Sequence, residues 1–289
     1  MISIWYNQAD MKQKIVFFGS GSYSIPVIQM LLNHGLVLVL TTESDGPLIA
    51  FLQKNSVNYA TTKVTGDKKI AKEELWKKVE DTHPTLGILA SFGALIPQHI
   101  IDLFPNGIWN IHPSLLPKYK GPSPVQYSIL AGETETGVTI ISLDDQIDHG
   151  PILAQETVNL TGQETTAVLL DTLFATGASL IEQLLDQESV DSAPQDHTKE
   201  SWSEKISKED GYINLDTIPS VELIDRMIRA YYPWPGVWTK AVLYGKEKII
   251  KFLPDQNIQV EGKKVMSYDE FINGYQEEGR KLLTQLQLI

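Results

Sequence analysis

Along the first half of the chain, short apolar runs alternate with stretches whose apolar residues recur at three- and four-residue spacing. Residues 14–18 (KIVFF) form a β-branched and aromatic run that stops at Gly19, after which Ile25, Ile28, Leu31 and Leu32 recur at helical intervals. Residues 36–40, 86–90 and 108–111 read as further buried strands, and the stretches around 48–52, 69–79 and 98–103 read as helices. This alternation predicts an α/β fold with a Rossmann-like, mainly parallel sheet covered on both faces. Ligands then sit beyond the carboxyl ends of the strands.

The pattern changes in the second half. Residues 138–143 and 152–158 are β-rich runs on either side of a polar loop, and residues 164–185 predict a long amphipathic helix. Residues 187–206 are polar, contain proline and show no periodicity, and read as a linker. Beyond it come a helix over 221–229, a stiff PWP turn at Pro233–Pro235, and strands over 237–243 and 248–253, which predict a small β domain. The expected division is a large domain over 11–186, the linker over 187–206 and the small domain over 207–289. Residues before Met11 read as an extension of no evident structural use, with Met11 a second candidate initiator.

Composition narrows the chemistry. The chain has no cysteine, which excludes disulfides, thiolate metal sites and a cysteine nucleophile. Neither a signal-peptide pattern nor a bilayer-length apolar run is present in the sequence, so a cytoplasmic location is expected. A net charge of -12 argues against broad nonspecific nucleic-acid binding, which relies on Lys and Arg neutralising phosphates. It leaves room for a local basic face, for which Lys246, Lys248, Lys251, Lys263 and Lys264 are the densest cluster.

Two regions carry candidate chemistry. The turn G-S-G-S-Y-S at residues 19–24 sits where a dinucleotide-binding turn sits, but Ser24 replaces the third glycine, and Glu43 does not resemble a ribose clamp. A tight turn that aims helix amides at a cleft accounts for the same glycines. The second region is residues 110–150. Asn110 and His112 alternate across one residue at the end of an apolar strand and so share a face, and Pro113, Pro117, Pro122 and Pro124 stiffen the loop that follows. Acyl transfer to an amine passes through a tetrahedral intermediate, which needs a donor for the oxyanion and a base for the departing proton. Asn110 and His112 supply those groups, and Asp148, in the loop between two strands, supplies a carboxylate to pair with the imidazole. A histidine after a strand is more often structural and an aspartate before a turn is more often a turn residue, yet the three together beside a proline-stiffened loop favour catalysis. No metal site is expected.

Asn110, His112, the SLLP of residues 114–117 and Asp148 in D-H-G-P-I-L resemble the signature of the folate-dependent formyltransferases. The resemblance covers the chain from about residue 14 onward. It implies catalysis by Asn110, His112 and Asp148, and a 10-formyltetrahydrofolate donor held by Ser91, Phe92, Gly93, Leu95, Ile96, Asp144, Ser114, Leu115, Leu116 and Pro117, largely through their backbone. The segments at 204–215, 228–239 and 261–275 are similar to the OB-like second domain of the branch that formylates initiator methionyl-tRNA. That branch implies tRNA contacts from Lys118, Lys120, Lys263 and Lys264. The loop at 41–47 (TTESDGP) departs from it, having two carboxylates and no Lys or Arg where the branch has a long basic loop, and the small domain is shortened to a reduced, truncated OB-like form. The alternatives are an amino sugar on a nucleotide as acceptor, or a non-catalytic folate- or RNA-binding relative.

Overall fold

The computed structural model describes residues 2–5, 13–63 and 73–289. They divide into two compact units, the first made of the described residues within 1–120, 136–158 and 170–202, the second of 121–135, 159–169 and 203–289.

The N-terminal strand β1 (Ile2–Trp5) comes first, followed by β2 (Ile15–Gly19), α1 (Ile25–Leu31), β3 (Leu36–Thr41), α2 (Pro47–Lys54), β4 (Tyr59–Thr61), α3 (Glu73–Asp81), β5 (Leu86–Ala90), α4 (Gln98–Ile101) and β6 (Ile108–His112). The part of the expected helix before Glu73 lies outside the described residues. Pairing is parallel for β4-β3, β3-β2, β2-β5 and β5-β6. Residues 15–18 of β2 are wholly buried, as a central parallel strand requires. On one face, Val16, Phe18, Leu38 and Leu40 pack with Phe92, Trp76 and Phe104, and Phe18 meets the rings of Phe92 and Phe104 edge-on at 5.6 and 6.0 Å.

The chain continues through α5 (Pro124–Ala131), β7 (Glu135–Ser142), β8 (Ile152–Asn159), α6 (Thr166–Leu185) and β9 (Ser189–Ser192). The sheet becomes mixed at β7, which pairs antiparallel with β6, and the seven strands run β4-β3-β2-β5-β6-β7-β8. Helix α6 covers the Ile111 face of β6 so closely that a Cβ on Gly177 would lie 2.5 Å from Ile111 Cγ2. Among the described residues α6 is the one helix long and apolar enough to cross a membrane, and half of its apolar window is buried within the fold.

Two segments without a predicted role are structured. Ile2–Trp5 pair antiparallel with Ser189–Ser192. The aperiodic stretch after α6 therefore begins with a strand and goes on, by Ala193, to exchange two backbone hydrogen bonds of 2.8 Å with Ile152.

In the second unit, α7 (Val221–Ala230) starts at Ser220, whose hydroxyl accepts from the Leu223 amide, and buries Ile224, Met227, Ile228 and Ala230 on one stripe. It packs against α5. The strands β10 (Val237–Leu243), β11 (Lys246–Leu253), β12 (Asn257–Val260) and β13 (Val265–Ser267) form an antiparallel meander in sequence order. The C-terminal helix α8 (Tyr268–Gln285) was not visible as a periodic run; Ser267 and Glu270 close a reciprocal capping box at its start, and it breaks at Gln276. The small domain is thus a four-stranded antiparallel sheet with a terminal helix.

Candidate active site

Strand β6, parallel to β5, ends on the side of the sheet formed by the carboxyl ends of the parallel strands, where ligands of such folds bind. Its register sets Asn110 opposite Ile141 and His112 opposite Thr139, so the two side chains emerge on one face, one residue pair apart. Asp148 arrives from the loop between β7 and β8. Its Oδ1 accepts from Asn110 Nδ2 at 3.4 Å and lies 3.6 Å from His112 Nδ1. The amide and imidazole of β6 meet the sequence-remote carboxylate at one of its oxygens, with Asn110 and His112 6% and 4% exposed and the Asp148 side chain 12% exposed.

The other imidazole nitrogen fixes the tautomer. His112 Nε2 lies 3.0 Å from the Tyr119 carbonyl oxygen, which can only accept, so Nε2 carries the hydrogen and neutral His112 keeps its lone pair on Nδ1. The basic nitrogen therefore faces Asp148. The imidazole thus has the Asp148 carboxylate, the partner expected for it, 3.6 Å from Nδ1 and a main-chain carbonyl at Nε2 on the opposite side. No residue pattern reveals a carbonyl that works through its backbone.

The loop at 114–117 is held from beneath. Thr139 Oγ1 donates to the Ser114 carbonyl at 2.6 Å and accepts from the Leu116 amide at 3.1 Å, while Gln155 Nε2 donates to the Leu116 carbonyl at 3.0 Å. Ser114 and Leu116 are buried, the Ser114 hydroxyl being used on the Lys118 carbonyl. Of the residues expected to hold the donor, Phe92 has its ring in the core and can offer only backbone, whereas Leu95 is half exposed and Gly93 has open space on its Cβ side at φ +74. Ser91 takes φ +53 and its hydroxyl meets the Tyr23 hydroxyl at 3.0 Å. Asp144 spends its carboxylate within its own loop, on His149 Nδ1 at 2.6 Å and on the Gln146 amide at 3.0 Å.

The glycine-rich turn is also internally committed. The Glu43 carboxylate accepts from the Gly21 amide at 2.7 Å, and Ser20 Oγ contacts Thr41 and Thr42. A phosphate at this amide would have to displace a carboxylate of the same chain.

Lys120 requires a correction. Expected at a nucleic-acid surface, it is 1% exposed, with its ammonium 2.6 Å from Glu200 Oε2 and 3.1 Å from His197 Nδ1, so it cannot reach a polyanion from this position. The Lys120 hydrogen bond, followed by that of Trp202, holds the Glu200 carboxyl below its ordinary range. Lys118, Lys263 and Lys264 are exposed. His197 in turn stacks on His149 with ring centres 4.0 Å apart and planes 3° from parallel. Gln195, Tyr119, Glu200 and Ser201, which frame the site, carried no signal in the sequence.

The family described as "Formyl transferase" matches residues 13–184, and "Formyl transferase, C-terminal domain" matches residues 205–257. A methionyl-tRNA formyltransferase of Chloroflexus aggregans is 37% identical over 236 residues, covering 78% of this chain and 76% of that protein. One of Thermodesulfovibrio yellowstonii is 28% identical over 301 residues, covering 96% of each. The fold is shared with a 4-N formyltransferase from Francisella tularensis, with a TM-score of 0.65 at 18% identity over 84% of this chain and 98% of that one. With more than half its length matched by the family and a site built on the family's expected amide, imidazole and carboxylate, the chain belongs to the formyl transferases.

Proposed function

We propose that this enzyme transfers the formyl group of 10-formyltetrahydrofolate to the α-amino group of initiator methionyl-tRNA, in the cytoplasm. The observation that carries the transfer chemistry is the meeting of Asn110, His112 and Asp148 at one carboxylate oxygen. The acceptor is supported by the curated relatives named methionyl-tRNA formyltransferase at 28–37% identity.

In this reading the acceptor amine attacks the formyl carbon and forms a C–N bond, while the carbonyl π electrons move to oxygen. The Asn110 amide donates to that oxyanion. The amine loses its proton to His112 Nδ1, and the imidazolium has the Asp148 carboxylate 3.6 Å away as counter-charge. Collapse breaks the bond from carbon to the folate nitrogen, which takes the proton back from the His112 imidazolium and leaves as tetrahydrofolate, regenerating neutral His112. The donor is held along 91–96 and by the backbone of 114–117 and 144–148, with Leu95 and Gly93 offering open surface. Exposed Lys118, Lys263 and Lys264 would touch phosphates without reading sequence.

The test is transfer of labelled formyl from the folate to charged initiator tRNA. Transfer that survives in His112→Ala at the parental rate removes the mechanism. The rival acceptor, an amino sugar on a nucleotide, is favoured by the net charge of -12 and by a 41–47 loop without Lys or Arg. Salt separates the two: affinity for tRNA falls steeply as salt rises, because each neutralised phosphate contributes about one unit of log–log slope, while a nucleotide with few phosphates gives a shallow line.

A further inference from the structure

We infer that residues 195–202, which read from the sequence as a linker, form a positioning strap for the catalytic trio, with Gln195 as its principal residue. The inference rests on the trio reading above and deepens it.

Gln195 is buried, and its Nε2 donates to two carbonyls, those of Asp148 at 3.0 Å and Gly150 at 2.8 Å. Its Oε1 is buried without a hydrogen-bond partner among the described residues, so the amide contributes through its two donors. What they hold is a strained piece of chain. Asp148 sits at φ +49, a left-handed conformation costly for a side chain with a Cβ, and persists only where its surroundings dictate it. A single amide that bridges the carbonyls of residues 148 and 150 is such a constraint, and it fixes the direction in which the Asp148 carboxylate leaves the backbone.

The other end of the strap acts on His112. Ser201 Oγ accepts from the Tyr119 amide at 2.9 Å, the Ser201 carbonyl accepts from the Lys120 amide at 2.8 Å, and the Ser201 amide donates to the Pro117 carbonyl at 3.2 Å. Tyr119 too is left-handed, at φ +56, and its carbonyl is the group that receives His112 Nε2–H. Between the two ends, Glu200 pairs with buried Lys120, and His197 stacks on His149, the residue next to Asp148. One eight-residue segment thus sets two trio members from separate parts of the chain, Asp148 in its loop through its own backbone and His112 at the end of β6 through the Tyr119 carbonyl. None of these strap residues touches the reacting atoms.

Steady-state kinetics with 10-formyltetrahydrofolate and methionyl-tRNA test the strap. Gln195→Leu is of similar size and removes both donors. The expected result is a kcat lower by about 10–100-fold, the scale of an angstrom-level misplacement, with both KM values within about two-fold of the parent. Gln195→Glu donates nothing as a carboxylate and one hydrogen bond when protonated, so its deficit relative to the parent should shrink as pH falls. Ser201→Ala, which removes only the acceptor for the Tyr119 amide, should lower kcat less. A folded Gln195→Leu with parental kcat, or with its loss confined to KM, overturns the strap. If that variant does not fold, a Gln195→Glu deficit that stays flat with pH overturns it instead. Failure of the trio reading looks different: His112→Ala would then transfer as fast as the parent.

Discussion

Gly150 offers a direct measurement of how tightly the site is held. A Cβ built on it lies 1.8 Å from the Ser142 carbonyl oxygen and 3.0 Å from the carbonyl carbon, both of them main-chain atoms that cannot rotate away. For Gly150→Ala to reach an ordinary contact of 3.4 Å, the two segments must separate by about 1.6 Å, the difference between 3.4 and 1.8. Asp148 is two residues upstream, and its carboxylate makes its contacts at 3.4 and 3.6 Å, so a shift of that size parts it from Asn110 and His112. The 2.8 Å bond from Gln195 to the Gly150 carbonyl goes with it. Overpacking of this kind costs roughly 1–3 kcal/mol of stability, and a misplacement of about 1 Å costs on the order of 100-fold in rate. Gly150→Ala is therefore expected to lower kcat for formyl transfer by about 100-fold or more and to shift the denaturant midpoint downward. Gly35→Ala is the control. Its Cβ would lie 2.2 Å from the Gln13 carbonyl oxygen at φ +89, just before β3 and at the end of the parallel strands away from the trio. It should destabilise comparably and leave kcat of the folded fraction unchanged. Parental kcat in Gly150→Ala, or an equal loss of kcat in Gly35→Ala, refutes the claim that the loop position sets the rate.

Three further outcomes follow from the same structure. Asn110→Ala should lower kcat by about 100- to 1000-fold, the usual cost of one oxyanion donor, with little change in KM; an unchanged kcat would assign Asn110 a structural role. Lys120→Met should lower the melting midpoint without altering the salt slope of tRNA binding, since the ammonium is buried against Glu200; a shallower slope would return Lys120 to the surface. Burial, aided by the Asp210 carboxylate, pushes the Tyr231 phenol up to about 12, and burial with Asp225 does the same for Tyr268. Below pH 10 both folded and unfolded chains keep these protons and the stabilisation is complete. Above it the unfolded chain ionises first, so stability should fall from about pH 10 to about pH 12, and Tyr231→Phe and Tyr268→Phe should each flatten that fall in chemical denaturation.

The sequence revealed the parts of the molecule that repeat or alternate. Strands β2, β3 and β5 are nearly continuous apolar runs because both faces are covered, and α6 shows its period over 20 residues, so burial alone makes them visible. The trio was legible for a related reason, since Asn110 and His112 interrupt a buried strand at period two and a polar residue in that position needs a partner. Helix α8 escaped because only Phe271, Leu282, Leu283 and a few neighbours are buried along it and it breaks at Gln276, which scrambles the stripe. Ile2–Trp5 gave no signal because a two-stranded pairing with Ser189–Ser192 is specified by main-chain groups that every residue carries.

A poorly patterned segment ends up packed around the candidate trio, and there is a physical reason. Periodicity reports apolar burial, but residues 195–202 work through polar atoms directed at carbonyls and amides: Gln195 at residues 148 and 150, Ser201 at 119, Glu200 at the Lys120 ammonium. In a half-buried place such contacts count for more than on the surface, because an unpaired carbonyl or amide there costs about 1–3 kcal/mol, which makes the segment rigid while leaving its letters polar and aperiodic. Left-handed Asp148 and Tyr119 are invisible for the same reason, since the strain is in the backbone and the side chains are ordinary. A site that must present a carboxylate from a loop and an imidazole from a strand end 3.6 Å apart needs constraints on main chain, which leave little trace in a hydropathy pattern.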